Sequence, residues 1–355
     1  MREIKLGNRV IGDGHPAFII AEMAWSHDGS IAIARKIIRG AVAAKTDAIN
    51  FHITYMPDYM VPQYTGGRGR VKAARDAKSI YDYLCSINMG RESWRKLFLY
   101  ARVRNMLVSA MCNDLPSVEF ASQLKPDIYT VHSACLAEED LITAVAEKKK
   151  PVFLKVGGTS LGEIERAVML IQKTGNRDIV LIHGIQSYPT KMEDMHLRYI
   201  QTLKRVFCLP VGFADHTDGD SALAMTVPLV AVAFGANVIE KHITHDRRLK
   251  CVDFESALNP EELKNLVINL REIEKAFGSS ATRSFSRAER DYRQIAKKRT
   301  VARIAIGKGE LITRDKITYK RADEGISPDE SQHLIGRAVK SRVEKDEPIT
   351  WDKMI

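Results

Sequence analysis

Two stretches of the chain put an imidazole at the end of an apolar run: GFADHTDGD at 212–220 and VIEKHITHD at 238–246. His216 and His242 stand 26 positions apart, with the acids Asp215 and Glu240 beside them. If each run is a strand and the two strands are neighbours, the imidazoles lie at about the 4.8 Å spacing of paired strands. Two neutral nitrogens at equal height can share one divalent cation, and an incomplete protein shell leaves positions for a substrate carbonyl. Two nitrogens plus waters suit Mn²⁺, Zn²⁺ or Co²⁺; the expected cofactor is Mn²⁺, with Mg²⁺ or Co²⁺ behind it. Two unrelated polar caps at loop starts would give the same pattern, and these residues alone leave both readings open.

Other apolar runs also end in polar side chains. Glu22 and His27 follow the first in AEMAWSHDG. Asn50 and His52 sit in the second, Ser133 ends the fourth, Lys155 lies in the fifth, and Gln186 and Tyr188 follow the sixth in GIQSYP. Each by itself reads as a satisfied polar group near a loop. Seven runs contributing polar groups at the same end point to a common site.

The elements that must position them repeat through the first 245 residues or so. Eight short apolar runs recur at 17–23, 48–54, 106–112, 127–133, 151–157, 178–184, 210–216 and 237–243. Near-continuous apolar composition is how strands buried on both faces read. Helical patterns lie between most of them. In SLGEIERAVMLIQKTG (160–175), Ser160 and Glu163 form a capping box, Ile164, Ala167, Val168 and Ile171 make one stripe, and Gly175 stops the helix. RESWRKLFLYAR (91–102) carries a similar stripe. Eight strands alternating with helices predict an α/β fold, a (β/α)8 barrel, whose chemistry sits where strands give way to loops. A doubly wound sheet is the runner-up, but no GxGxxG follows the first strand. The long link at 55–105 predicts loops over one mouth. After about 275 the pattern changes. Residues 1–278 read as the barrel, 279–297 as a polar linker with a helix from Ser286, and 298–355 as a small β-rich domain.

The bulk numbers exclude several classes. The chain has 355 residues, 45% hydrophobic and 28% charged, ordinary for a globular protein. It carries neither an apolar run of membrane-spanning length nor the apolar core of a signal peptide, and its five scattered cysteines suit free thiols, so the expected location is cytoplasmic. The net charge of +10 is spread out, without a basic stripe interleaved with aromatics, which argues against nucleic acid and suits steering of an anionic small molecule.

With these residues in place, the chain resembles the N-acetylneuraminate (sialic acid) synthase family. AEMAWSHDG resembles its AEIGxNHxG, QSYPT its YPTP turn, GFADHT its GYSDHT, and VIEKHIT its IEKHFT. VARIAIGKGELIT and KRADEGISP look like the antifreeze-like (SAF) domain attached to those enzymes. The resemblance implies a metal-dependent condensation of phosphoenolpyruvate with the open aldehyde of an N-acylated amino sugar. In that reaction the phosphoenolpyruvate methylene attacks the aldehyde, water adds to the oxocarbenium carbon, and phosphate leaves by carbon–oxygen cleavage. It places the metal on His216 and His242, sugar-handling and proton transfer on Glu22 and Glu240, and substrate contacts on Ser133, Tyr188 and Asp253; His27 is a further catalytic candidate beside them, and Asn50, Lys155, Gln186 and Asp215 are further substrate-binding candidates. It also implies a domain-swapped homodimer in which Arg321 of the small domain reaches the sugar's acyl group.

The departures fall on the anion side. The family's lysines in KFQ and KIAS are Asn50 and Thr130 here, its fifth-strand serine is Lys155, and His132 is new beside Ser133. A desolvated phosphate and carboxylate need cationic partners. Lys155 is the expected stand-in, and GGRGR at 66–70 is either a second source of charge or a flexible solvated loop. The alternative reading is a barrel that keeps the metal and sugar site but takes another anionic co-substrate, or binds sugar without turnover.

Overall fold

The computed structural model describes residues 2–64, 79–278 and 281–355, in two compact units, 1–278 and 279–355. GGRGR lies outside the described residues.

In the first unit, a hairpin of β1 (Ile4–Leu6) and β2 (Arg9–Ile11) precedes eight parallel strands. These are β3 (Phe18–Glu22), β4 (Ala48–Ile53), β5 (Leu107–Cys112), β6 (Ile128–Val131), β7 (Val152–Lys155), β8 (Ile179–His183), β9 (Val211–Asp215) and β10 (Val238–His242). They close into a barrel in sequence order, with β10 pairing back onto β3. All eight expected runs are strands, trimmed by a residue or two at their ends.

The side-chain period of two divides each strand between lumen and helices. Ile19, Ile49, Val108, Val131, Leu154, Leu181, Phe213 and Ile239 join the core beneath the helices. The intervening Phe18, Ile20, Ala48, Ile128, Phe153, Val180, Ile182, Ala214 and Val238 form a separate apolar layer in the lumen, which takes in Ile4, Leu6 and Ile11 of the hairpin. Phe18, Ala48, Ile128 and Val238 are the first residues of their strands, so the hairpin closes the N-terminal end. The sequence pattern had not singled out this hairpin. Above the apolar layer the inward positions turn polar.

The helices follow their local signals. Ser160 caps the helix Leu161–Lys173 through a complete capping box with Glu163, and Gly175 follows in the left-handed region at φ 85°. The helix Arg91–Arg102 buries Trp94, Leu97, Phe98 and Ala101. The long link after β4 holds helices as well as loops, Met56–Tyr59 and Ile80–Ile87. Met56, Leu84 and Ile87 pack with Ala24 and Trp25, which follow β3, and with Val252, which follows β10. These described parts of the link therefore pack over the C-terminal mouth. Gly157, just after β7, is required by a close approach: a Cβ there would meet the Gly184 carbonyl oxygen at 1.8 Å. Among the described residues, no helix is long and apolar enough to cross a membrane.

The second unit contains the helix Arg287–Ala296, capped by Ser286 with Glu289 in a capping box, as its sequence suggests. Antiparallel β11 (Lys298–Ala302) and β12 (Ile317–Arg321) follow, and a core of Ala302, Ile306, Ile312, Ile317, Leu334, Val339, Val343 and Ile349 sits behind them.

Candidate active site

At the C-terminal ends of the barrel strands the inward side chains are Glu22 (β3), Asn50 and His52 (β4), Lys155 (β7), Glu240 and His242 (β10) and, one residue past β9, His216. The register sets Glu22 beside His242 on one flank and beside Asn50 on the other.

The two histidines expected as cation ligands meet. Their ring centroids are 5.2 Å apart, and both rings are buried. His216 Nδ1 lies 2.7 Å from the carbonyl oxygen of Ile185, so that nitrogen carries the proton and donates. Nε2 is then the lone-pair nitrogen, and it is buried without a hydrogen-bond partner. Neither ring nitrogen of His242 has one either; its Nδ1 lies 3.9 Å from Asp253 Oδ2. Burial pulls the His216 imidazole down to about 4 and His242 well below its ordinary value, so both are neutral at physiological pH. A backbone carbonyl orienting one ring nitrogen while the other stays free is the usual outer support of a metal-binding histidine. The donor set thus fits a divalent cation held by two imidazoles. Among the described residues, no group of three or more His, Cys, Asp or Glu side chains is placed to hold one.

Below them lies a buried ion triad. Lys155 Nζ is 2.8 Å from Glu240 Oε1 and 3.2 Å from Glu22 Oε2. Glu22 also accepts from Asn50 Nδ2 at 2.7 Å and from the Ala24 amide at 2.8 Å, and His52 Nε2 lies 3.2 Å away. Burial works to raise the Glu22 carboxyl, but Lys155, His52 and His242 outweigh it and hold it well below the usual range. Burial, with Glu22 adding, pushes the Glu240 carboxyl up despite Lys155. The closer carboxylate is the weaker acid because Glu22 alone has the extra donors. Burial opposes the charge on Lys155, yet Glu240 and Glu22 raise its pKa, so it is an ammonium. Lys155, expected to face a phosphate, has a side chain 4% exposed and engaged by two carboxylates.

Tyr188 walls the site. Its ring centroid is 4.4 Å from His216 and 5.5 Å from His242, and its hydroxyl donates to Gln186 Oε1 at 2.6 Å. Burial, helped by Asp253, Glu240 and Glu22, raises its phenol well above the usual value. Burial also lifts Asp253 to about 7 against the pull of His52, with Glu22 and Glu255 adding. Ser133 is half-buried at the turn after β6. Thr130 is buried, and its hydroxyl bonds that of Ser109 at 2.8 Å.

Two expected residues, Asp215 and His27, face away from this cluster, and Arg321 lies in the second unit as its sequence places it. Asp215 faces the helices, where its carboxylate meets Lys241 Nζ at 2.7 Å, so it is not a substrate contact. His27 is buried against Trp94, at 5.6 Å between centroids, and accepts from the Gly29 amide; this anchors the loop after β3. Arg321 ends β12 in the second unit, exposed, opposite Lys298. Two residues noted in the sequence but given no role there, His52 and His132, also lie at the site. His52 is two positions beyond Asn50, which the strand period puts on the same face. His132 accepts from the Ala134 amide through Nδ1, and burial, then Lys155 and His52, pull its imidazole down to about 3.

The sequence profile of the NeuB family matches residues 37–282, and that of the SAF domain matches 301–354. An uncharacterised protein of Methanocaldococcus jannaschii is 34% identical over 100% of this chain and 99% of its own. The N,N'-diacetyllegionaminic acid synthase of Campylobacter jejuni is 30% identical over 93% of this chain and 98% of its own. Among solved structures, the N-acetylneuraminic acid (sialic acid) synthetase of Leptospira borgpetersenii, in complex with citrate, superposes with a TM-score of 0.72 at 31% identity, over 82% of this chain and 96% of that one.

Proposed function

The chain belongs to the NeuB family, with an SAF domain after its barrel, and from that premise we propose that it is a sialic acid synthase-type transferase. It joins phosphoenolpyruvate to the aldehyde of an N-acylated amino hexose, giving a nonulosonic acid and phosphate. The observation that carries this reading is the pair of buried, neutral imidazoles with unpartnered nitrogens, set over two carboxylates of unequal acidity.

His216 and His242 would hold the divalent cation, Mn²⁺ first. A cation there supplies Lewis-acid polarisation of a carbonyl. Glu22 stays ionised and can accept a proton from water. Glu240, the weaker acid, can donate one to a developing alkoxide. Environments that push two carboxyls apart in this way assign base and acid. Lys155 keeps both within reach. Tyr188, fixed through Gln186, gives the sugar a wall, and Asp253 offers an acceptor to its hydroxyls. Asn50 and Ser133 lie on the donor side. Arg321 of a second subunit would meet the acyl group.

Phosphate release from phosphoenolpyruvate tests this. Release is expected only when Mn²⁺ and an acylamino hexose are both present, and its absence across a panel of such sugars and of Mn²⁺, Mg²⁺ and Co²⁺ overturns the reading. One observation favours a second reading, a different anionic co-substrate: Lys155 is engaged by Glu22 and Glu240. Calorimetry showing sugar binding without phosphoenolpyruvate binding would select it.

A further inference from the structure

Behind the two histidines, on the helix side of the barrel wall, lies an ion pair that the proposed chemistry does not use. Asp215 and Lys241 are directly opposite each other and form the last rung joining β9 to β10. Both are fully buried, among Phe213 and Ile239 of the same strand faces. Lys241 Nζ meets Asp215 Oδ2 at 2.7 Å and donates to the carbonyl of Thr217 at 3.2 Å. The other oxygen of Asp215 accepts from the Thr217 amide at 3.0 Å and from its hydroxyl. One ammonium therefore grips the residues on both sides of His216, and it belongs to the residue just before His242.

Stability does not account for such a pair. Two charges lose their hydration on burial, and well-packed apolar residues in their place are often neutral or stabilising. What apolar residues cannot supply is a directional tie between two strands, and fixing register is the best-attested use of buried polar pairs. The tie acts where it matters for the lumen. Side chains alternate along a strand, so the rotation fixed at 215 and 241 dictates how 216 and 242 face inward. His216 is also held through its carbonyl, which accepts from the Thr190 amide and the Ser256 hydroxyl, each at 2.9 Å.

We propose that the Asp215–Lys241 pair is a clamp that sets the spacing and facing of the His216 and His242 rings, so that Asp215 and Lys241 are positioning residues for the cation and not substrate contacts. The proposal rests on reading those histidines as cation ligands.

The test compares the full chain with the double variant Asp215→Leu/Lys241→Met, which removes the pair and keeps the volume. Three quantities are read: melting temperature, Mn²⁺ affinity by calorimetry, and the separation of the two rings in crystal structures. A clamp predicts a double variant that melts near the parent temperature but binds Mn²⁺ about tenfold or more weakly, the range seen when outer supports of metal ligands are lost. The ring centroids should depart from 5.2 Å. A folded double variant with unchanged rings and Mn²⁺ affinity within about twofold overturns the proposal. Should the double variant not fold, Asp215→Asn decides, since Asn still accepts from the Thr217 amide: weaker Mn²⁺ binding supports the clamp and unchanged binding overturns it. If the parent binds no Mn²⁺, the cation reading fails, and the ring separation, in the double variant or in Asp215→Asn, alone judges the clamp.

Discussion

Replacing Lys155 with Met removes the cation from between Glu22 and Glu240 and leaves two carboxyls in a buried lumen. The contacts of 2.8 and 3.2 Å correspond to attractions of about 6 and 5 kcal/mol at an effective dielectric constant of about 20. Desolvation of the three groups offsets most of that in the intact triad. Removing one partner restores none of the lost hydration to the others, so the net cost is about 3–5 kcal/mol. At about 2 °C for each kcal/mol in a unit of this size, the melting temperature falls by about 6–10 °C. The loss depends on pH in a defined direction. In the parent, Glu22 has a folded pKa below its unfolded value, so its contribution is present above the unfolded pKa and lost as pH falls through the folded one. Glu240 has a raised folded pKa, so its contribution is present below the unfolded pKa and lost as pH rises through the folded one. Without Lys155 both folded values rise, and both carboxyls then disfavour folding as pH rises. Thermal melts of Lys155→Met across pH 5 to 8 should show a deficit that is smallest at the acid end and widens toward pH 8. A deficit under about 1 kcal/mol, flat across that range, would refute the triad as the organising charge of the site.

His216→Ala leaves one imidazole of the pair, and bound Mn²⁺ measured by elemental analysis should drop to background, with turnover down by about a hundredfold or more. His27 and His132 both have folded pKa values near 3; each stays neutral where the unfolded chain takes up a proton, so stability is present above about pH 6.5 and is lost as pH falls through the folded values. Melts between pH 7 and 4 should decline steadily, and His132→Gln should make that slope shallower. Gly157→Ala drives a methyl into the Gly184 carbonyl and should abolish soluble expression, whereas Gly162→Ala, with nothing within 4 Å of the added Cβ, should fold with a melting temperature no lower than the parent's.

The barrel was legible because eight apolar runs and the capped helices between them are local signals. Ser160 with Glu163 and Ser286 with Glu289 cap helices where the sequence places them. The convergence of His216, His242, Glu22 and Glu240 was legible too, since all sit at the same ends of their strands. The partner of each side chain was harder to read. Lys155 looked like a free cation because its two glutamates lie 133 and 85 positions away, on other strands. The orientation of Asp215 was within reach: a strand that points His216 inward points its predecessor outward. The role of His27 depended on the packing of Trp94, from a helix whose own stripe says nothing about that loop.

The hairpin that seals the barrel's N-terminal end leaves the triad and the histidine pair at the bottom of a blind cup. Among the described residues, the end of the lumen that the hairpin does not close is the C-terminal one, over which Met56, Leu84 and Ile87 pack.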